Sequence, residues 1–173
     1  DTIAWYENNG AADPTWTAID IARSSFDSYH SVYAADMDGD GDMDIVSGSG
    51  NRDVIAWYEN NGAADPTWTA AGIPTSADGS RSVFAADMDG DGDMDIVSAS
   101  NGDDAIAWYE NNGAADPTWT AADIATSADG AYSVYAADMD GDGDMDIVSA
   151  SGVDDTIAWY ENNGAADPTW TAA

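Results

Sequence analysis

The chain has 173 residues, room for one sizeable domain, and a formal charge of −31 from 34 acidic residues against three arginines and no lysine. So little positive charge leaves nothing to neutralise phosphates, which excludes nucleic acid and, for the same reason, anionic membrane surfaces as partners. There is no cysteine, so disulfides and thiolate metal sites are absent and redox chemistry does not report the compartment.

The first element is an aromatic strand pair, Ile3 to Tyr6 and Thr15 to Ala18, on either side of Asn8-Asn9-Gly10. No acidic loop precedes it. The stretch Ile19 to His30 is the most divergent of the chain, and His30, the single histidine, reads as a surface residue. A complete unit is clearest further on. Ser82-Val83-Phe84-Ala85-Ala86 leads into an acidic loop, Asp95 to Ser100 leaves it, Ala105 to Glu110 follows, then the turn Asn111-Asn112-Gly113, and Thr118 to Ala121 comes last. Each run is short, rich in β-branched and aromatic residues and bounded by turn formers, with no helical periodicity. The runs are continuous rather than alternating, as expected of sheets buried on both faces.

This unit repeats. Trp5, Trp57, Trp108 and Trp159 stand 52, 51 and 51 residues apart, and the phrase Trp-Tyr-Glu-Asn-Asn-Gly-Ala-Ala-Asp-Pro-Thr-Trp-Thr-Ala occurs four times unaltered. Four strands repeated at about 40–50 residues predict an all-β fold of propeller-type blades. The expected division is a half blade and linker at 1–30, then blades at 31–81, 82–132 and 133–173. About three and a half blades fall short of the four-blade minimum of a closed propeller. Two chains would supply about seven blades' worth of strands. The start at Asp1 and the lack of a signal peptide predict a mature or excised piece.

The string Asp-Met-Asp-Gly-Asp-Gly-Asp-Met-Asp occurs three times unchanged, at 36–44, 87–95 and 138–146. Five carboxylates in nine residues repel one another, and hard oxygen donors at alternate positions with glycines at the turn suit calcium. By spacing, Asp36, Asp38 and Asp40 donate side-chain oxygens, Gly41 permits the turn, Asp42 offers its backbone carbonyl, and Asp44 closes the site with both oxygens. The same roles fall on Asp87, Asp89, Asp91, Asp93 and Asp95, and on Asp138, Asp140, Asp142, Asp144 and Asp146. Three calcium ions per chain would bring the charge from −31 to −25. An EF-hand is excluded because serine stands where its closing glutamate belongs (Ser47, Ser98, Ser149) and strands flank the loop. Met37, Met88 and Met139, soft side chains among hard donors, read as packing residues.

With its loop Asp-x-Asp-x-Asp-Gly-x-x-Asp and the Ile-Val strand that follows, the sequence resembles the FG-GAP repeats, closest to their bacterial VCBS-type branch. That family includes the seven-bladed propeller of integrin alpha subunits. The Phe-Gly and Gly-Ala-Pro signatures that name the family are missing. The resemblance implies propeller blades with a calcium loop between the first two strands of each, at 36–44, 87–95 and 138–146.

Three classes of function meet this sequence with unequal support. A structural or adhesive extracellular module, self-associating into a ring or filament, fits the identical repeats and calcium sites of the extracellular type. A multivalent lectin would use the Trp-Tyr pairs to stack on sugars, against the plainer reading that these pack between blades. An enzyme is disfavoured, since the clustered aspartates are committed to metal and no triad is present. Expected partners are therefore the chain itself, and glycans or another extracellular protein, without membrane insertion.

Overall fold

The computed structural model describes residues 1–25, 28–51, 53–75 and 77–172. Every regular element among them is a strand. β1 (Thr2–Asn8) and β2 (Trp16–Arg23) form an antiparallel hairpin. Three four-stranded antiparallel sheets follow, each in chain order: β3 (Tyr29–Ala35), β4 (Asp44–Ser49), β5 (Val54–Asn60) and β6 (Trp68–Ile73); β7 (Ser80–Ala86), β8 (Asp95–Ser100), β9 (Ala105–Asn111) and β10 (Trp119–Ala125); β11 (Ala131–Ala137), β12 (Asp146–Ser151), β13 (Thr156–Asn162) and β14 (Trp170–Ala172). Each first strand begins two residues ahead of the boundary drawn from the repeat. β1–β2 carry the sequence of third and fourth strands, as the repeat predicts, and stand as the outer half of a sheet.

The Asn-Asn-Gly turns explain the outer hairpins. Asn112 Oδ1 accepts from the backbone N–H of Ala114 at 3.3 Å and of Thr118 at 3.0 Å, so one side chain spans the whole connection. Gly113 takes φ 65°, where a side chain would be strained. Asn9, Asn61 and Asn163 make the same pair of bonds.

The sheets stack face to face, with β3, β7 and β11 side by side. Val83 N–H donates to Ser31 Oγ at 3.2 Å, and Val134 N–H to Ser82 Oγ at 3.3 Å, so the same bond joins both pairs of inner strands. Two apolar cores lie between sheets. Met37, Val46, Ile55 and Trp57 meet Val83, Ala85, Ile96 and Tyr109 in the first. Met88, Val97, Ile106 and Trp108 meet Val134, Ala136, Ile147 and Tyr160 in the second. Each large apolar side chain so buried contributes roughly 1.5–3 kcal/mol. β8, in the middle sheet, is buried along its whole length, which is why its run does not alternate. The Trp57-Tyr58 and Trp108-Tyr109 pairs are buried, as blade packing requires. Tyr33, Phe84 and Tyr135 form a ladder across the three inner strands, with ring centroids 4.5 and 4.7 Å apart.

Candidate metal centre

Each acidic string joins the first two strands of a sheet. Ala86 pairs with Asp95 at the mouth of the β7–β8 hairpin, so the loop closes where the ladder ends. Inside the loop the carboxylates fold the backbone around themselves. Asp87 Oδ1 accepts from Gly90 N–H at 2.8 Å and Oδ2 from Gly92 N–H at 3.0 Å. Asp89 accepts from Asp91 N–H at 3.1 Å, and Asp91 from Asp93 N–H at 2.9 Å. Gly92 needs φ 100°, a conformation that other residues adopt only at a cost. The loops at 36–44 and 138–146 repeat these bonds.

This folding brings three of the five carboxylates together. Asp36, Asp38 and Asp40 each place an oxygen within 4.8 Å of the others, as do Asp87, Asp89 and Asp91, and Asp138, Asp140 and Asp142. Charges at that spacing repel by about 3 kcal/mol per pair at an effective dielectric of 20. The donors are all hard oxygens, without nitrogen or sulfur, which fits a hard divalent cation.

The other two aspartates of each string are placed differently. Asp95 is buried, its Oδ1 accepting from Asn111 N–H at 2.7 Å and its Oδ2 from Met88 N–H at 3.1 Å. Asp44 and Asp146 hold the matching amides of Asn60 and Met37, and of Asn162 and Met139. Each of these carboxylates ties its loop to the third strand of its own sheet, and each oxygen keeps a lone pair for a cation. Burial pushes Asp95 up to about 7, against the pull of the Asn111 amide hydrogen bond. Burial also raises Asp44, Asp38 and Asp89, and neighbouring carboxylates add to the rise. Asp42, Asp93 and Asp144 lean against the turn glycines Gly62, Gly113 and Gly164, so closely that a Cβ there would collide with the carboxylate.

The sequence reading missed the first asparagine of each Asn-Asn-Gly turn. Asn111 Nδ2 donates to Met94 O of its own loop at 3.0 Å and to Met37 O of the preceding loop at 2.8 Å. Asn162 does the same to Met145 O and Met88 O. The available signal was a constant spacing: an asparagine sixteen residues after the last aspartate of every loop. Met37 and Met88 are buried packing residues, whereas Met139, in the last loop with no sheet beyond it, is exposed; His30 is exposed with Nε2 2.8 Å from Arg81 Nη1.

Stacked four-stranded sheets, each with an acidic loop between its first two strands, define a propeller-like repeat protein. The chain belongs to the FG-GAP-like repeat family, whose model matches residues 1–47, 37–98 and 87–149. Each match ends three residues beyond the last aspartate of an acidic loop. No curated protein matches the chain. Among the described residues no helix is long and apolar enough to cross a membrane.

Proposed function

We propose that the chain is a non-enzymatic extracellular repeat module that binds calcium at three sites and has a structural or adhesive role, associating with itself through its blades. One observation carries the reading: three aspartate triplets, one per four-stranded sheet, each with oxygens within 4.8 Å of one another, at Asp36/Asp38/Asp40, Asp87/Asp89/Asp91 and Asp138/Asp140/Asp142. The membership of the chain in the FG-GAP-like family supports calcium as the ion. Weak calcium sites work at about 10⁻⁴–10⁻³ M, concentrations found outside cells, which supports the extracellular assignment. The lectin reading loses its stacking platform in the central units, where Trp57, Tyr58, Trp108 and Tyr109 are buried.

Isothermal calorimetry and native mass spectrometry with calcium, magnesium and zinc test the proposal. Three calcium ions per chain are expected. No calcium uptake, or preferential uptake of zinc, overturns it.

A further inference from the structure

The three sheets bury the same side chains in the middle of the stack and expose them at its ends. Ile55 and Ile106 are 0% exposed, whereas Ile157, at the same place in the last sheet, is 81% exposed. Val83 and Val134 are 4% and 5% exposed, whereas Val32 in the first sheet is 53% exposed. The aromatic ladder ends on an exposed Tyr135. One end therefore presents a face that elsewhere receives the next blade, and the other a face that elsewhere receives the preceding one.

The terminal hairpins sharpen this. Asp1 to Ala18 is identical to Asp155 to Ala172, eighteen residues without a change. Thus β1–β2 and β13–β14 are one element present twice, and each is half used. In β1, Ile3 is buried and Tyr6 exposed; in β13, Tyr160 is buried and Ile157 exposed. The interior counterpart β9 buries both Ile106 and Tyr109. Beside β1 lies a groove of about 490 Å³ lined by Ile3, Trp5, Val32, Ala34 and Ile45, where the inner strands of a blade would stand.

We infer that, in the 173-residue chain, this groove takes the inner strands β11 and β12 of a second copy, joined head to tail. One of the two identical hairpins closes the shared blade, covered on both faces, and the other is released. The inference rests on the self-associating reading above and names its interface. The junction repeats a contact the chain already makes twice: Tyr135 of one copy meets Tyr33 of the next as Phe84 meets Tyr33, and Val32 is covered as Val83 and Val134 are. Because the two surfaces differ, the contact is heterologous and runs to a closed ring or a filament according to its rotation. Each copy contributes three complete sheets, so a two-chain ring holds six blades. The faces that meet are apolar while the chain as a whole is strongly acidic, so calcium and salt, which screen charge beyond about 8–10 Å, favour assembly.

Light scattering on the full chain in millimolar calcium provides the test, with Val32→Asp and Tyr135→Asp as variants at exposed positions. Calcium stoichiometry and circular dichroism report that each variant is folded. Expected are a wild-type mass at least twice the 18.0 kDa chain, at least tenfold weaker association for either variant, and recovery of a complex when the two variants are mixed. Recovery follows because one variant keeps an intact β11–β12 face and the other an intact groove. A monomeric wild-type chain that binds calcium overturns self-association and this interface together. Wild-type assembly that neither substitution weakens overturns this interface and leaves self-association standing. Variants that fail to recover on mixing overturn the head-to-tail pairing.

Discussion

The side-chain amide of Asn111 donates to the carbonyl of Met37 at 2.8 Å, although the two residues are 74 positions apart and belong to different sheets. Through its second N–H the same amide holds Met94 O, in the acidic loop of its own sheet. The acidic loops at 36–44 and 87–95 are therefore each fastened both to their own blade and to the blade that follows. A cation bound in either loop would also order the carbonyl that the next sheet grips, a route from the proposed metal sites to the stacking of the sheets.

Asn111→Ala tests that fastening. It strips partners from two carbonyls while leaving the backbone bond to Asp95 intact. An unsatisfied buried polar group costs about 1–3 kcal/mol, and in a chain of this size 1 kcal/mol moves Tm by roughly 2–4 °C. Asn60→Ala is the control, because among the described residues Asn60 Nδ2 donates to Met43 O of its own loop and to no carbonyl of another loop. The larger loss of Tm is expected for Asn111→Ala; equal losses would show that the bond between sheets is inert.

Gly113→Ala is expected to destabilise on two counts. The residue has φ 65°, and an added Cβ meets the Asp93 carboxylate. The cost of forcing alanine into the left-handed region is about 1 kcal/mol or more. The displaced Asp93 side chain also disturbs its acidic loop, so the calcium affinity proposed for that site should fall while the other two sites keep theirs. Gly72→Ala, with open space around its Cβ and no left-handed φ, is expected to leave both Tm and affinity near the wild-type values.

Much of this was legible in the sequence because the repeat is nearly perfect. Strand count, strand order and the place of the acidic loops follow from residues such as Trp108 and Asp95 recurring at fixed intervals. The outer hairpins were legible from Asn112 and Gly113, whose local chemistry leaves little choice of turn. What remained hidden depends on contacts between units. Asn111 looked like turn chemistry because its two carbonyl partners, Met37 and Met94, are set by the stacking of sheets. The division of labour among the aspartates was hidden for a similar reason: spacing alone does not show that Asp95 is held by amides from Met88 and Asn111. Identical residues with different fates, such as Ile106 and Ile157, are invisible to any reading of local sequence.

The two kinds of aspartate separate when metal is removed. Asp91 is the exposed member of its triplet, whereas Asp95 is a buried hydrogen-bond acceptor for two amides. A site filled at 100-fold excess over Kd stabilises by about 2.7 kcal/mol. Asp91→Ala should therefore lower Tm in calcium and change it little in chelator. Asp95→Ala should lower it in both, because the two amides lose their acceptor whether or not an ion is present. Thermal melting of both variants with calcium and with chelator checks this. Equal behaviour of the two variants in chelator would refute the distinction.

Acidification should stabilise the metal-free chain. Burial pushes Asp95 up to about 7, above its ordinary value of 3.8. The folded state then binds a proton that the unfolded state does not take up until the pH falls below about 4, so folding is favoured as pH drops through that window. Above pH 7 the buried carboxylate is charged and its full cost is present. Asp44, Asp38 and Asp89 are raised in the same direction and add to the effect. In calcium the sign reverses, because the ion needs the carboxylates charged and protons compete with it. In chelator, Tm is expected to rise between about pH 8 and pH 5; in millimolar calcium it is expected to fall over the same range. Asp95→Asn, neutral at every pH, should flatten the chelator profile. A metal-free Tm that drops on acidification from pH 7 to about pH 5 would mean that the buried aspartates do not hold their protons as the geometry requires.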